Sequence, residues 1–384
     1  MQRHRAPGRL MRVAVIGAGP MGIAAALGAL ERGHDVTLLE RGRIGASLRD
    51  WGPTRFFSPL RMNVSARMRE LLGDVDDEAL LTGPEYVARV LEPLGASEPL
   101  RGRVHEEHAV IAIGRKGLTR GDYAGHPLRG ERPFRIVCAN DAIFEADAVL
   151  DASGGLVVPR AFGAGGLPPL GLTRLASPPL RTLGALDAAR ASLGGRRLLL
   201  VGGGHSAANA IAALADGACH VTWVVRSANR RPCEEVMHDP LPERQSIVAR
   251  ANDLAAAPPP WLRVERKAMV ESLSQSNGSI TVALSGGRGV DVDAIAAFTG
   301  ARPESAYLSE LAVELSPVTE GGARLARAIA NVTDCLSVPA VRREDLGSGE
   351  ANYYFIGSRA YGRARTFLLQ TGLQQLETIL DALA

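Results

Sequence analysis

A chain of 384 residues exceeds a usual single domain, and its 46% hydrophobic content can furnish the cores of two. Nearly balanced charge, +3 overall, with 4% aromatic residues that never interleave with basic clusters, excludes a nucleic-acid-binding surface, and no uncharged run reaches membrane-spanning length. Cys138, Cys219, Cys233 and Cys335 lie far apart and form no C-x-x-C pair, which excludes the obvious sequence form of a dithiol centre or a cysteine zinc knuckle and points to reduced thiols in a cytoplasm.

Residues 1–10 are basic without an apolar signal core and, since Met11 directly precedes the first strand, read as a mobile extension or an upstream start. From Val13 the pattern sharpens. Val13 to Ile16 is a buried parallel strand, Gly17-x-Gly19-x-x-Gly22 a tight turn, Ala24 to Leu30 a small-residue helix ended by Gly33, and Val36 to Leu39 a second strand closing on Glu40. Gly17 permits the turn, Gly19 lets backbone approach a pyrophosphate, and Gly22 lets helix and strand pack closely. The helix N-terminus then offers unpaired N–H groups and a positive dipole end to phosphates, and Glu40 can accept hydrogen bonds from a ribose diol. These residues predict a dinucleotide site.

The turn-rich loop after Glu40, with Trp51, Phe56, Phe57 and Asn63, leaves the carboxyl end of a parallel sheet and should lie along the cofactor. Glu85 to Leu94 reads as an amphipathic helix with Val87, Val90 and Leu91 inward. Ala109 to Ile113, Phe134 to Cys138 and Ala142 to Phe144 are short strands, and Ala148 to Leu150 runs into the small-residue crossover Asp151-Ala152-Ser153-Gly154-Gly155. The proline- and glycine-rich stretch from Leu156 to Gly195 reads as a connection rather than core.

From Arg197 the opening plan repeats: a strand at Leu198 to Val201, the turn Gly202-Gly203-Gly204-His205-Ser206-Ala207, a helix at Ala208 to Ala215 and a strand at Val221 to Val225. Ala207 fills the third small-residue place, which the fingerprint permits. Arg226 stands where the first unit has Glu40, with Arg230 and Arg231 following. A carboxylate there would repel a 2′-phosphate, whereas guanidinium groups grip it, so the second nucleotide reads as NADPH, against the plainer reading of Arg226 as a solvated surface charge. His205 either contacts nucleotide phosphate or orders the turn, with a catalytic acid as the third possibility.

Ile280 to Leu284, Val290 to Val292 and Ala294 to Phe298 are further strands, the last opening into Thr299-Gly300-Ala301-Arg302-Pro303, which echoes the first crossover. Tyr353 to Ile356 is a final strand before Gly357-Ser358-Arg359-Ala360-Tyr361-Gly362-Arg363. Apolar residues from Phe367 to Leu383 then recur at helical spacing, forming a terminal helix whose start near Thr366 can face the electron-rich edge of a bound ring. His105-Glu106-Glu107-His108 has the wrong spacing for a helical zinc motif and leads into a strand, so no metal is expected; His238 reads as exposed loop.

In the order and spacing of VAVIGAGPMG, DASGG, LLVGGGHSAAN, FTGARP and YFIGSRAYGRARTFLLQTG, which span nearly the whole chain, the sequence resembles the flavoproteins with two dinucleotide-binding domains, the group of flavin-containing monooxygenases and thioredoxin-reductase-like enzymes. It looks most like an actinobacterial-type subgroup of NAD(P)-binding FAD-dependent oxidoreductases. The resemblance implies an α/β fold of two Rossmann-like domains: a discontinuous FAD domain at 11–160 and 301–384, and an inserted linker plus NADPH domain at 161–300. It assigns FAD to Gly17, Gly19, Pro20, Met21, Gly22, Glu40, Arg41, Val110 (through its backbone), Ser153, Gly154, Gly357 and Ser358. It assigns NADPH to Gly202, Gly204, His205, Ser206, Ala207, Arg226, Arg231 and Gly300. Two departures stand out: there is no dithiol in the inserted domain, and Phe162-Gly163-Ala164-Gly165 lacks the histidine of the monooxygenase F-x-G-x-x-x-H signature.

The implied activity is that of an NADPH-dependent FAD monooxygenase passing one oxygen atom from O2, through a flavin hydroperoxide, to a nucleophilic nitrogen or sulfur of a small-molecule substrate. No side-chain nucleophile is required, in keeping with the lack of any Ser/His/Asp or Cys/His constellation. The alternatives are an oxidase or dehydrogenase on the same scaffold and a nucleotide-binding redox sensor. Asn63 is similar in placement to an asparagine that monooxygenases keep near the flavin, or else stabilises its loop. Tyr361 and Arg363 border the substrate face or fix their turn. A homodimer is expected from base rate alone.

Overall fold

The computed structural model describes residues 10–155 and 157–383; residues 1–9, most of the expected mobile extension, lie outside the described residues. Two parallel sheets organise the chain. The first is ordered Tyr353–Phe355, Ala148–Asp151, Arg12–Ile16, Asp35–Leu39, Val104–His105, all strands parallel. Its central strand, Arg12–Ile16, is buried from Val13 onward because it is flanked on both edges and covered on its faces, which is why it is continuously apolar.

The helix Pro20–Glu31 packs on this sheet and against the terminal helix Leu369–Leu383. Gly28 makes that approach possible, since a Cβ there would lie 2.5 Å from Leu380 Cδ1. Arg32 clasps Glu377 at 2.9 Å and Asp381 at 2.8 Å across the same seam. The expected Glu85–Leu94 helix is a short α-turn, Gly83–Tyr86, running into a π-turn at Val87–Leu91, with Val87, Val90 and Leu91 all buried. An antiparallel sheet, Val110–Arg115, Phe134–Cys138 and Ile143–Ala146, flanks the first domain. Arg115 and Arg129 there share the buried carboxylate of Glu350, at 2.9 and 3.0 Å, anchoring the sheet to the returning chain.

The second parallel sheet is ordered Leu262–Glu265, His220–Val224, Arg197–Val201, Ala294–Ala297. The helices His205–Ala213 and Pro242–Ala256 pack together beside it, and the antiparallel strands Val270–Ser276, Ser279–Leu284 and Arg288–Val292 form a separate sheet whose buried residues share a core with it. Pro242–Ala256 left no clear periodic signal because its buried face is made of Arg244, Val248, Ala251, Asn252 and Ala255, mostly small or polar. Residues 157–195 are more than a connection: Leu183–Ala189 is a helix capped by Thr182, and Phe162, Leu186 and Leu193 are buried in the second domain. The chain passes out and back through Val158–Pro159, which pairs antiparallel with Ala301–Arg302.

Candidate functional site

Both glycine turns are built alike. Gly17, at φ +95°, donates its N–H to the Leu39 carbonyl at 2.7 Å, and Gly202, at φ +135°, donates to Val224 at 3.2 Å. Each crossover closes beside its turn: Ala152 N–H reaches the Ile16 carbonyl at 2.9 Å and Phe298 N–H reaches Val201 at 2.8 Å. Gly22 has no freedom, since a Cβ would meet the Gly17 carbonyl at 1.7 Å. The second turn accommodates Ala207 at the matching place, fully buried.

The helix after each turn is capped only by glycine, Gly19 and Gly204, and neither accepts a side-chain cap bond. A Cβ on either would meet nothing within 4 Å. Open space at an uncapped helix N-terminus is the geometry that takes a phosphate. Pro20 and Met21 form the first turn of the first helix, and Met21 packs against Gly357, at φ +60°. His205 and Ser206 open the second and stay solvent-accessible.

The two turns diverge in what braces them. Glu40, buried at the end of Asp35–Leu39, accepts from Ala18 N–H at 2.7 Å and from Gly42 N–H at 2.9 Å. Each carboxylate oxygen keeps a second acceptor site for a ribose hydroxyl. Arg41 beside it is exposed. In the second domain the brace is the fully buried Trp223, whose indole N–H donates to the Gly202 carbonyl at 2.7 Å. Arg226 follows that strand, exposed and without an ion pair among the described residues. Arg231 is different: it is committed to Glu235 at 2.8 Å and Asp253 at 2.6 Å, whereas Arg226 is left open.

The first crossover lies against the first turn, where a Gly17 Cβ would meet the Ala152 carbonyl at 2.7 Å. Gly154 takes φ +94°, and Gly155 N–H donates to Ser358 Oγ at 3.0 Å, tying the crossover to the late strand end. Asp151, fully buried below it, accepts from Tyr307 OH at 2.7 Å and Tyr353 OH at 2.9 Å, with Arg359 Nε at 3.4 Å. Ser153 joins through its hydroxyl to Tyr307 OH at 3.0 Å. Nothing in the sequence pattern marked this cluster beyond an acid where a crossover is otherwise small. Gly300, at φ +83°, receives the Arg160 N–H at 3.0 Å. Val110 lies on the flanking sheet, in register with Cys138.

Two of the three expected catalytic residues, Asn63 and Tyr361, are tied into the fold. Asn63 is 2% exposed; its amide donates to the Ser58 and Pro59 carbonyls at 3.0 and 3.1 Å, and its Oδ1 accepts from Ser58 Oγ at 2.9 Å. With both amide protons used in its own loop, it acts as a loop tie. Tyr361 is buried against Phe367, its hydroxyl accepting from Gln375 at 2.8 Å, so it is core and not a bordering side chain. Arg363 pairs with Glu320 at 3.3 Å and stays half-buried at the domain junction. Thr366 precedes the terminal helix by a short turn, and its buried hydroxyl has no partner, a polar atom left for a ligand.

His105 and His108 stand edge-to-face with each other and with Phe144, and Glu106 accepts from Ile44 N–H at 2.7 Å, so this run braces the loop after Glu40. His238 is an exposed loop residue. All four cysteines are free and buried. Burial pushes the Cys233 thiol up to about 11 and raises the others as well, which keeps them protonated and inert.

The pyridine nucleotide-disulphide oxidoreductase family matches residues 11–324. No curated protein sequence matches the chain. Among solved structures it is similar to the bacillithiol disulfide reductase of Bacillus cereus, at TM-score 0.66 and 16% identity over 98% of this chain and 99% of that one. A Kutzneria ornithine N-hydroxylase is similar at TM-score 0.64 and 16% identity, covering 98% and 99%. A flavin-containing monooxygenase from Stenotrophomonas maltophilia is similar at TM-score 0.59 and 19% identity, covering 97% and 98%. Identities this low carry the fold and not the substrate.

Proposed function

The chain belongs to the pyridine nucleotide-disulphide oxidoreductase family, and from that membership we propose that it is an FAD- and NADPH-dependent monooxygenase acting on a nucleophilic nitrogen or sulfur of a small molecule. What supports the cofactor pair is the open, glycine-capped helix start at each turn, one followed by Glu40 and the other by Arg226. FAD suits the first domain: Gly19 leaves room for a pyrophosphate, Gly22 lets the helix close on it, and the orphaned Thr366 hydroxyl awaits a polar partner. The single observation that favours oxygen transfer over a dithiol relay is that all four cysteines are buried, separate and unpaired.

When bound, FAD would supply two-electron exchange between a nicotinamide and an acceptor. The chain's own part is to bind, orient and shield. The first helix start and Gly17–Gly22 hold one pyrophosphate, and Glu40 takes a ribose diol. Gly202–Ala207 would hold the other, Arg226 would take the 2′-phosphate, and Ser153, Gly154 and Ser358 would lie beside the first nucleotide. Among the described residues no helix is long and apolar enough to cross a membrane.

The deciding experiment supplies NADPH, isotopically labelled oxygen and a panel of amines and thiols to the purified protein. Product that gains one labelled oxygen atom is expected. Hydrogen peroxide released in step with an unlabelled oxidised product would assign an oxidase instead, and NADPH-dependent reduction of a low-molecular-weight disulfide would assign a reductase.

A further inference from the structure

The hydrogens around Asp151 can be counted. Its carboxylate is ion-paired with the fully buried Arg359 at 3.4 Å; Oδ2 accepts from Tyr307 OH at 2.7 Å and Tyr353 OH at 2.9 Å, and Oδ1 from Ser153 N–H at 3.1 Å. A carboxylate so paired offers only lone pairs, so each tyrosine commits its one hydroxyl hydrogen to it. Tyr307 Oη is then an acceptor toward everything else, and Arg359 Nε donates to it at 3.4 Å. The contact of 3.0 Å between Tyr307 Oη and Ser153 Oγ therefore has only one sense, with Ser153 donating. That chain of hydrogen bonds, from Ser153 through Tyr307 to Asp151, leaves Ser153 Oγ lone pairs and no hydrogen to offer a ligand.

Ser358 is the opposite case. Its Oγ accepts the Gly155 N–H at 3.0 Å, and its own hydrogen has no acceptor among the described residues. Both hydroxyls adjoin Gly154: Ser153 precedes it in the chain, and a Gly154 Cβ would lie 4.0 Å from Ser358 Oγ. Ser153 is half-buried, which keeps its remaining lone pairs within reach, and its Cα lies 3.1 Å from where a Gly17 Cβ would stand, against the first glycine turn. Ionised phosphate oxygens carry lone pairs alone, and turning them toward Ser153 Oγ sets acceptor against acceptor. A hydroxyl is the matching group. Of the sugar hydroxyls on FAD, those of the adenosine ribose fall to Glu40, which leaves the polyol chain on the other side of the pyrophosphate.

We propose that Ser153 Oγ is a fixed hydrogen-bond acceptor that takes a polyol hydroxyl of FAD and refuses a pyrophosphate oxygen, with Tyr307 and Asp151 as the positioning residues that set its polarity. This rests on the FAD reading of the first domain given above.

The test strips the full chain of flavin and titrates it with FAD, with FAD analogues lacking the 2′-, 3′- or 4′-hydroxyl of the polyol, and with ADP, which has a pyrophosphate and no polyol. Flavin fluorescence follows the first four and calorimetry the last. One analogue should bind about three- to tenfold more weakly than FAD; Ser153→Ala should weaken FAD by about the same factor and leave that analogue and ADP unchanged. In Tyr307→Phe the gap between FAD and that analogue should shrink, because Ser153 loses the acceptor that fixes its hydrogen and polarises its oxygen. A purely structural loosening would lower both affinities and keep the gap. Thermal unfolding of each variant checks that the fold is kept. FAD affinity untouched by Ser153→Ala, an equal loss for FAD and all the analogues, a loss for ADP as large as for FAD, or an unaltered gap in Tyr307→Phe overturns the inference while the FAD reading stands. A full chain that takes up no FAD overturns that reading and the inference with it.

Discussion

The ring of Phe57 stands edge-on to the imidazole of His205, with 5.3 Å between centroids. Phe57 belongs to the loop beyond the first nucleotide unit and His205 opens the helix of the second, so the contact joins the two nucleotide-binding ends. Partial loss of hydration on the side facing the protein, followed by the positive charges of Arg244 and Arg365, holds the pKa of the still solvent-accessible His205 below its ordinary 6.5. The imidazole is therefore neutral at pH 7. A phosphate at this helix start would raise its pKa again, so NADP+ binding should take up protons in mildly acidic solution below pH 6.5. Calorimetry in two buffers of different ionisation enthalpy reads this directly. Equal heats for the wild type, or an unchanged difference in His205→Gln, would remove His205 from the phosphate site.

Arg226 and Arg231 separate the open guanidinium from the committed one. Arg226→Ala should raise the KM for NADPH about tenfold or more relative to NADH, the worth of a lost charged contact. Arg231→Ala, which breaks pairs to Glu235 and Asp253 at the surface, should shift NADPH and NADH alike and only slightly. Steady-state kinetics with both nucleotides checks the pair; equal effects on both nucleotides in Arg226→Ala would sink the assignment.

Asp151 and Arg359 are both fully buried, and the carboxylate also takes two tyrosine hydroxyls. Asp151→Asn keeps the volume but strands a buried guanidinium, at a cost of about 3 kcal/mol or more. The urea midpoint should fall, and flavin should be retained less well because Ser153 and Gly154 sit on this cluster. A midpoint equal to that of the wild type is the outcome that contradicts this account.

His34 lies 5% exposed at the start of its strand with neither ring nitrogen hydrogen-bonded, and burial, then Arg32, holds its pKa below 6.5. The unfolded chain thus binds a proton that the folded one resists. Stability from this residue is complete above about pH 6.5 and declines as pH falls below that value, by up to about 1.4 kcal/mol for each pH unit until the folded-state pKa is reached. Denaturant unfolding across pH 5 to 8 should show a flatter profile in His34→Leu than in the wild type; parallel profiles would show that His34 carries none of the slope.

The parts that were legible in the sequence are those whose physics is local. Gly17, Gly22 and Gly202 announce their turns because sterics between residues a few places apart demand them, and the duplication with Glu40 exchanged for Arg226 exposed two nucleotide units without any tertiary knowledge. The strands were apolar enough to read because parallel sheets are buried on both faces. The helix Pro242–Ala256 was not, since its buried face is small and polar.

Side-chain roles were decided elsewhere. Asn63 and Tyr361 carry the right chemistry at suggestive positions, yet one is consumed by its own loop and the other by the packing of the terminal helix. The Asp151–Arg359 cluster and the Phe57–His205 contact join residues far apart along the chain, so no window of sequence contains them. By itself the amino-acid order determined the backbone scaffold, because turns and strands answer to neighbours a few residues away. Only the folded chain decided which polar groups remain free to meet a ligand, because hydrogen bonds and desolvation depend on what tertiary packing brings alongside.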